Sequence, residues 1–269
     1  MPNFYFLIQF NSSYEYVNQI IDSSLTTPLM LAVKNNNRDI VQLLLHQNAS
    51  LNTPNSYGNT AIAMSMDEDM FELLLQNGAK ISAAVLVEAI TKGRQKVVEL
   101  LLKNGVSQQN YCDGKNNLHY ASFSGNPQMF KLLHQENLSS INTKDFMGYT
   151  PLMMAVRVRR HEDYIEQILV SGADIDMVNL HGNSALMIGA DEWASEYLIE
   201  KLLEYKASFN IQNRKGMTAL MLAVEKGNVS TVKLLLAAGA MIDLTNNEGK
   251  TAADIASELG RSKILKLLT

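Results

Sequence analysis

A cysteine beside an aspartate, with a histidine a few residues on, is where hydrolytic or transfer chemistry would be sought first. Here these are Cys112, Asp113 and His119, in the stretch NYCDGKNNLH. A nucleophile needs a positioned base and a group that orients that base. Asp-Gly marks a turn, so Cys112 reads as a thiol in a turn. His119 falls inside a helical motif instead. The other histidines, His46, His134, His161 and His181, are scattered and show no HExxH or paired-ligand spacing. A single cysteine allows neither an internal disulfide nor a multi-cysteine zinc site, and it fits a reducing compartment. The acid pairs Glu68/Asp69 and Asp191/Glu192 lie on turns with no apolar pocket to raise a pKa, so they read as solvated charges. No GxxxxGK(S/T) phosphate loop occurs, and the GKT at Gly249 is a turn before a helix. The expectation is a non-enzyme with no catalytic residue, no metal site and no cofactor.

The strongest local charge is RVRRH, from Arg157 through Arg159 to His161, answered one unit later by DEW at residues 191–193. A formal charge of −4 disfavours nucleic acid as the main partner, because phosphate binding needs clustered Lys and Arg. The opening MPNFYFLIQF is apolar and aromatic, but no basic residue precedes it, so it reads as a folded cap and not as a signal peptide or membrane span.

The elements that must position all of these residues repeat. TPLMLAV from Thr27, TAIAMSM from Thr60, AVLVEAI from Ala84, NNLHYAS from Asn116, TPLMMAV from Thr150, SALMIGA from Ser184, TALMLAV from Thr218 and TAADIAS from Thr251 start 33, 24, 32, 34, 34, 34 and 33 residues apart. A second apolar block of the LLLxxGA kind follows each, and Gly commonly stands two residues before each start, as at Gly58, Gly148 and Gly216. Thr is a good N-cap, Pro fits the first helical position, and Leu and Ala at helical spacing make one packed face. Gly ends the second helix. The next ten or so residues, such as ADIDMVNLHG, alternate and turn as a β-like finger would. One such unit cannot bury its apolar face alone, but stacked units can.

These units resemble ankyrin repeats, with the TPLH-like motif opening the first helix, over nearly the whole chain from Thr27 to Thr269. The resemblance implies an all-α solenoid of about eight helix-turn-helix repeats with short β-hairpin-like fingers. Residues 1–26 would form a capping segment, with one helix over residues 14–21. The last repeat would be a C-terminal cap whose Asp254, Ser257 and Lys263 face water. Three departures from the pattern stand out. Met30, Met153, Met187 and Met221 replace the motif's His, which only His119 keeps; since Met cannot replace its hydrogen bonds, softer inter-repeat loops follow. The second unit is three residues short near residues 66–69, and its following finger, at AKISAA, is missing. The turns after Val156 and Asp191 are enlarged.

The resemblance also places function on the finger tips and the exposed turn of each first helix, in a non-catalytic module that binds another protein or peptide. Residues the scaffold does not require gather in repeats four to six: Phe123, Phe146, Met147, Tyr149, Arg157, Arg159, Leu180, His181 and Trp193, continued by Arg214 and Lys215. Aromatics and Arg are what binding hot spots favour. The competing reading packs these aromatics between fingers. Other readings are a secreted bacterial effector engaging a host protein, a structural spacer, and an enzyme hidden in the scaffold, which the absent catalytic cluster opposes. A monomer in the cytoplasm, or in a host's cytoplasm for an effector, is expected, with no membrane insertion.

Overall fold

The residue that opens most of the repeats is a helix cap before it is anything else. In the computed structural model, which describes residues 14–65, 67–106, 113–136, 141–158, 162–191 and 195–269, Thr27, Thr150, Ser184 and Thr218 accept the amide N–H of Met30, Met153, Met187 and Met221 at 3.2–3.4 Å. Each hydroxyl thus satisfies one of the amides that a helix start leaves without a partner. The described residues hold helices and turns, with no strand. The fingers are hairpin-like in their tip bonds, Asp145 N donating to Tyr149 O and Asn179 N to Asn183 O, with turns in place of paired strands.

The chain divides into two compact units, Met1–Ser107 and Gln108–Thr269. The first holds α1 (Tyr14–Val17), α2 (Pro28–Lys34), α3 (Arg38–His46), α4 (Ala61–Met64), α5 (Glu68–Gln76), α6 (Ala83–Thr91) and α7 (Gln95–Lys103). The second holds α8 (Asn117–Ser124), α9 (Pro127–Glu136), α10 (Pro151–Val158), α11 (Glu162–Val170), α12 (Ala185–Asp191), α13 (Glu196–Glu204), α14 (Ala219–Lys226), α15 (Val229–Ala237), α16 (Ala252–Glu258) and α17 (Ser262–Leu268).

In the second unit the first helices α8, α10, α12, α14 and α16 pack in sequence as one layer, and the second helices α9, α11, α13, α15 and α17 as another. Small residues at one register, Ala121, Ala155, Gly189, Ala223 and Ala256, are all buried and let successive first helices approach closely. The second layer buries Leu133, Ile168, Leu202 and Leu235 completely. Each such side chain contributes roughly 1.5–3 kcal/mol. One buried polar group joins the layers: Tyr164 on α11 donates to Ser122 Oγ on α8 at 3.2 Å, and its ring meets Phe130 edge-on at 5.4 Å. Burial pushes the Tyr164 phenol far above its ordinary pKa, so it stays protonated. Asp254, Ser257 and Lys263 are exposed on the final helices.

The first unit departs from this regularity where the sequence is short. Helix α4 ends at Met64, and both the amide and the hydroxyl of Ser65 turn back to donate to Ile62 O. One repeat later α5 runs into α6 through residues 77–82 only, where residues 47–60 join α3 to α4. The finger is absent, as the spacing implied. Helix α6 begins at Ala83, ahead of the repeat register, after Ser82 in extended conformation with no side-chain cap bond. At the start of the chain, α1 stops at Val17 instead of running to residue 21. Asp22 claims the next residues for a turn, accepting from Ser24 N at 2.9 Å and Thr26 N at 3.0 Å.

Candidate functional site

Finger tips are built by one side chain each. Asp145 Oδ1 accepts from Met147 N at 2.9 Å and Tyr149 N at 2.8 Å. Asn179 does the same for His181 N and Asn183 N, Asn213 for Lys215 N and Met217 N, and Asn246 for Glu248 N and Lys250 N, all at 2.9–3.0 Å. This is the Asx turn, in which a short carboxylate or amide mimics a backbone turn. The Gly that follows the two tip residues has positive φ, for example 79° at Gly148 and 80° at Gly182, a conformation that costs other residues 1–2 kcal/mol, roughly. A Cβ on Gly148 would also lie 2.7 Å from Leu180 N.

Main-chain bonds tie the tips to one another. Phe146 N donates to Asp113 O at 3.1 Å, Leu180 N to Met147 O at 3.0 Å, Arg214 N to His181 O at 3.0 Å and Asn247 N to Lys215 O at 3.0 Å. Lower on the fingers, Asn142 accepts from Asp174 N, Asp176 from Ser208 N and Asn210 from Met241 N at 2.8–3.0 Å. Reading the sequence missed both sets of Asx residues. The signal that would have found them is an Asp or Asn three residues before each tip Gly, with a second one three residues earlier.

This ladder brings six of the expected residues onto one edge. Phe146 is 69% exposed, Met147 50% and Leu180 47%, and His181, Arg214 and Lys215 are exposed beside them. Phe146 nevertheless leans on Gly114 of the preceding tip, its ring occupying the place a Cβ there would take. Tyr149 is half-buried, with the Arg157 guanidinium 5.4 Å from its ring centre. The pair is a cation–π contact of order 0.5–1 kcal/mol at an exposed site. Phe123, in the last turn of α8, stands at the register of Arg157 on α10 and Asp191 on α12, and is 51% exposed. Arg159 and Trp193 lie outside the described residues, as does Cys112.

The one retained motif histidine behaves as the resemblance implies. His119 accepts from Asn116 N through Nδ1 at 3.1 Å, closing a capping box, and Nε2 donates to Tyr149 O in the next finger at 2.9 Å. Burial holds its pKa below the ordinary histidine value, so the neutral ring is the folded form. The methionines at the same register are equally buried, but their thioethers cannot donate to a carbonyl.

Charge along the edge is uneven. Lys115 pairs with Asp113 at 2.7 Å, Lys226 with Asp191 at 3.1 Å, and Lys250 with Glu248 and Glu258 at 3.0 and 2.8 Å. Arg157, Arg214 and Lys215 form no ion pair among the described residues. Elsewhere among the described residues, an open groove of about 660 Å³ is lined by Leu203, Phe209, Ile211 and Ala238, and another of about 500 Å³ by Glu68, Arg94 and Lys96. Among the described residues that line them there is no histidine or cysteine. No group of three or more metal-ligating side chains occurs among the described residues, and none of their helices is long and apolar enough to cross a membrane.

Capped first helix, second helix, Asx-built tip and tip-to-tip bonding define a helical repeat array. The family described as ankyrin repeats (3 copies) matches residues 4–85, 62–145, 86–179, 118–212 and 186–269, and the chain belongs to the ankyrin repeat family. It is 30% identical over 171 residues to the nuclear factor NF-kappa-B p105 subunit of Rattus norvegicus, a match covering 61% of this chain and 17% of that protein. It is 34% identical over 125 residues to the ankyrin repeat and KH domain-containing protein mask-1 of Caenorhabditis elegans, covering 46% of this chain and 5% of that one. With the human transient receptor potential cation channel subfamily A member 1 it shares 24% over 260 residues, or 76% of this chain and 23% of the channel. The chain thus spans less than a quarter of each of these relatives.

Proposed function

We propose that this chain, like ankyrin repeats generally a non-catalytic scaffold for protein–protein interaction, binds another protein, or a peptide of it, on the finger tips and first-helix turns of repeats four to six. The observation that carries this reading is the exposed apolar run Phe146, Met147 and Leu180, held on a backbone ladder that needs none of their side chains. Large apolar side chains at the outermost points of a fold contribute little to its core and, clustered, mark interaction sites. Arg157 over Tyr149 adds an amphipathic anchor of the hot-spot kind. A nuclear factor subunit, a KH-domain protein and a cation channel carry similar stretches, so the similarity follows the repeat and not one activity.

The test is capture from a cell lysate followed by mass spectrometry, comparing the wild-type chain with a Phe146→Ser, Met147→Ser, Arg157→Ala triple variant. Partners retained by the wild type should be lost from the variant, with an unchanged helical circular-dichroism spectrum. Equal capture by both would remove the site assignment.

A further inference from the structure

The tip edge is graded in chemistry, and the gradient names a partner class. Phe146, Met147 and Leu180 form its apolar end, and Arg214 and Lys215 its basic end, with His181 between. The basic end is uncompensated: the neighbouring Lys226 and Lys250 are paired with Asp191, Glu248 and Glu258, whereas Arg214 and Lys215 have no ion pair among the described residues. At the apolar end the Asp145 carboxylate is taken up by two tip amides. Main-chain bonds fix the separation, since Arg214 N reaches His181 O and Leu180 N reaches Met147 O. Repeats stack at helix spacing, roughly 9–10 Å, so the two ends lie about 20 Å apart, the reach of about six extended residues.

Resting on the tip-edge reading above, we propose that the occupant is an extended peptide segment of another protein, with an apolar side chain on Phe146, Met147 and Leu180 and acidic residues about six positions away, at Arg214 and Lys215. Nucleic acid fits less well, because two tip cations on a chain of net charge −4 make no phosphate-tracking stripe. An anionic membrane calls for a denser cluster, about 4–8 basic residues. The rigid ladder lets the peptide order on a surface that is already ordered, which limits the entropy lost on binding.

Phage-displayed random 12-residue peptides selected on the intact chain test this, followed by fluorescence anisotropy with labelled copies of the enriched sequences. The expected winners carry a large apolar residue and, about six positions away, a pair of Asp or Glu. Arg214→Glu with Lys215→Glu should weaken them about tenfold or more near physiological salt, with a smaller loss at about 0.5 M NaCl. Peptides with Lys in place of the acids should recover binding to that variant. Winners that are basic or uncharged would overturn the inference, as would acidic winners indifferent to the double reversal. Displacement of the winners by an oligonucleotide or by phosphatidylserine vesicles at lower concentration than by unlabelled peptide would also overturn it. Winners that need Phe146 and Tyr149 but ignore Arg214 and Lys215 would leave the tip-edge reading standing. A selection whose winners ignore both sets would end both readings.

Discussion

Repeats two and three join their helices differently from repeats five to eight. In the later repeats a finger led by Asp145, Asn179, Asn213 or Asn246 leaves the helices and bonds tip to tip. In the earlier pair, residues 77–82 connect α5 directly to α6, and no tip follows Tyr57 within that unit. Tyr57 is accordingly 77% exposed. What ties the earlier pair instead is Arg94. It stands where Asn37 and Asn228 cap the second helices of other repeats, and its guanidinium donates back to Ser65 O, at the end of the shortened α4. Arg261 repeats the device in the last repeat, donating to Glu225 O at 3.3 Å. The difference teaches that a repeat array can give up a finger if another group satisfies the main chain that the finger would have neighboured.

The most severe break of the later unit should come from its buried phenol. Tyr164→Ala is expected to lose about 3–5 kcal/mol in denaturant unfolding, as for other large buried rings, and Tyr164→Phe about 1 kcal/mol for the Ser122 bond. The earlier unit should fail first at Arg94. Arg94→Ala leaves the carbonyl of the fully buried Ser65 without that donor and should cost about 1–3 kcal/mol, with faster amide exchange over residues 61–65. Arg261→Ala should cost less, because Arg261 is exposed and water replaces it. Equal costs would erase the contrast drawn between the two sites. Asn179→Ala removes two tip bonds and should cost about 1–2 kcal/mol, with loss of protection at His181 and Asn183.

Histidine sharpens the comparison within the later unit. His119→Met deletes the bond to Tyr149 O and should cost about 1 kcal/mol. The loops that already have Met at this register should exchange faster than the one His119 reaches. Because burial lowers the folded pKa of His119, the unfolded chain binds the proton more readily. The stability this residue contributes is present above its ordinary pKa, about 6.5, and is lost as pH falls below it. The Met variant should show a flatter stability profile between about pH 7 and pH 5. The smallest effect is a gain. Leu25 takes a positive φ of 57° at the tip position where Gly stands in other fingers. Leu25→Gly should stabilise by about 1 kcal/mol.

Helix order, caps and the missing finger were legible because each follows from local chemistry repeated at a near-constant period. Thr-Pro before Leu states a cap and a first turn within three residues, and the 24-residue spacing at Ala84 states a deletion. Ser82 shows the limit: without Thr-Pro the start of α6 slipped from its expected register. The first tip, at Asp22, went unread because Leu25 hides the Gly signal. Arg94 was invisible because its acceptor lies 29 residues away, beyond any local pattern. In the candidate site, the exposure of Phe146, Met147 and Leu180 follows the reading of tips as outward points. Tyr149 does not follow it, since the turn folds its ring under Arg157.

The tip ladder is written wholly in main-chain and Asx groups, and this has a consequence for how the edge can change. At the Asp145, Asn179 and Asn213 tips the two residues between the Asx and its Gly contribute only amides and carbonyls to the ladder's hydrogen bonds, whereas at the Asn246 tip Asn247 Nδ2 also donates to Arg214 O at 2.9 Å. At those three tips the ladder's hydrogen bonds leave the side chains free to vary, with the Phe146 ring alone leaning on a neighbouring tip, at Gly114. Phe-Met, Leu-His, Arg-Lys and Asn-Glu occupy four successive tips of the same turn. A new specificity can be written there two residues at a time while every helix stays as it is.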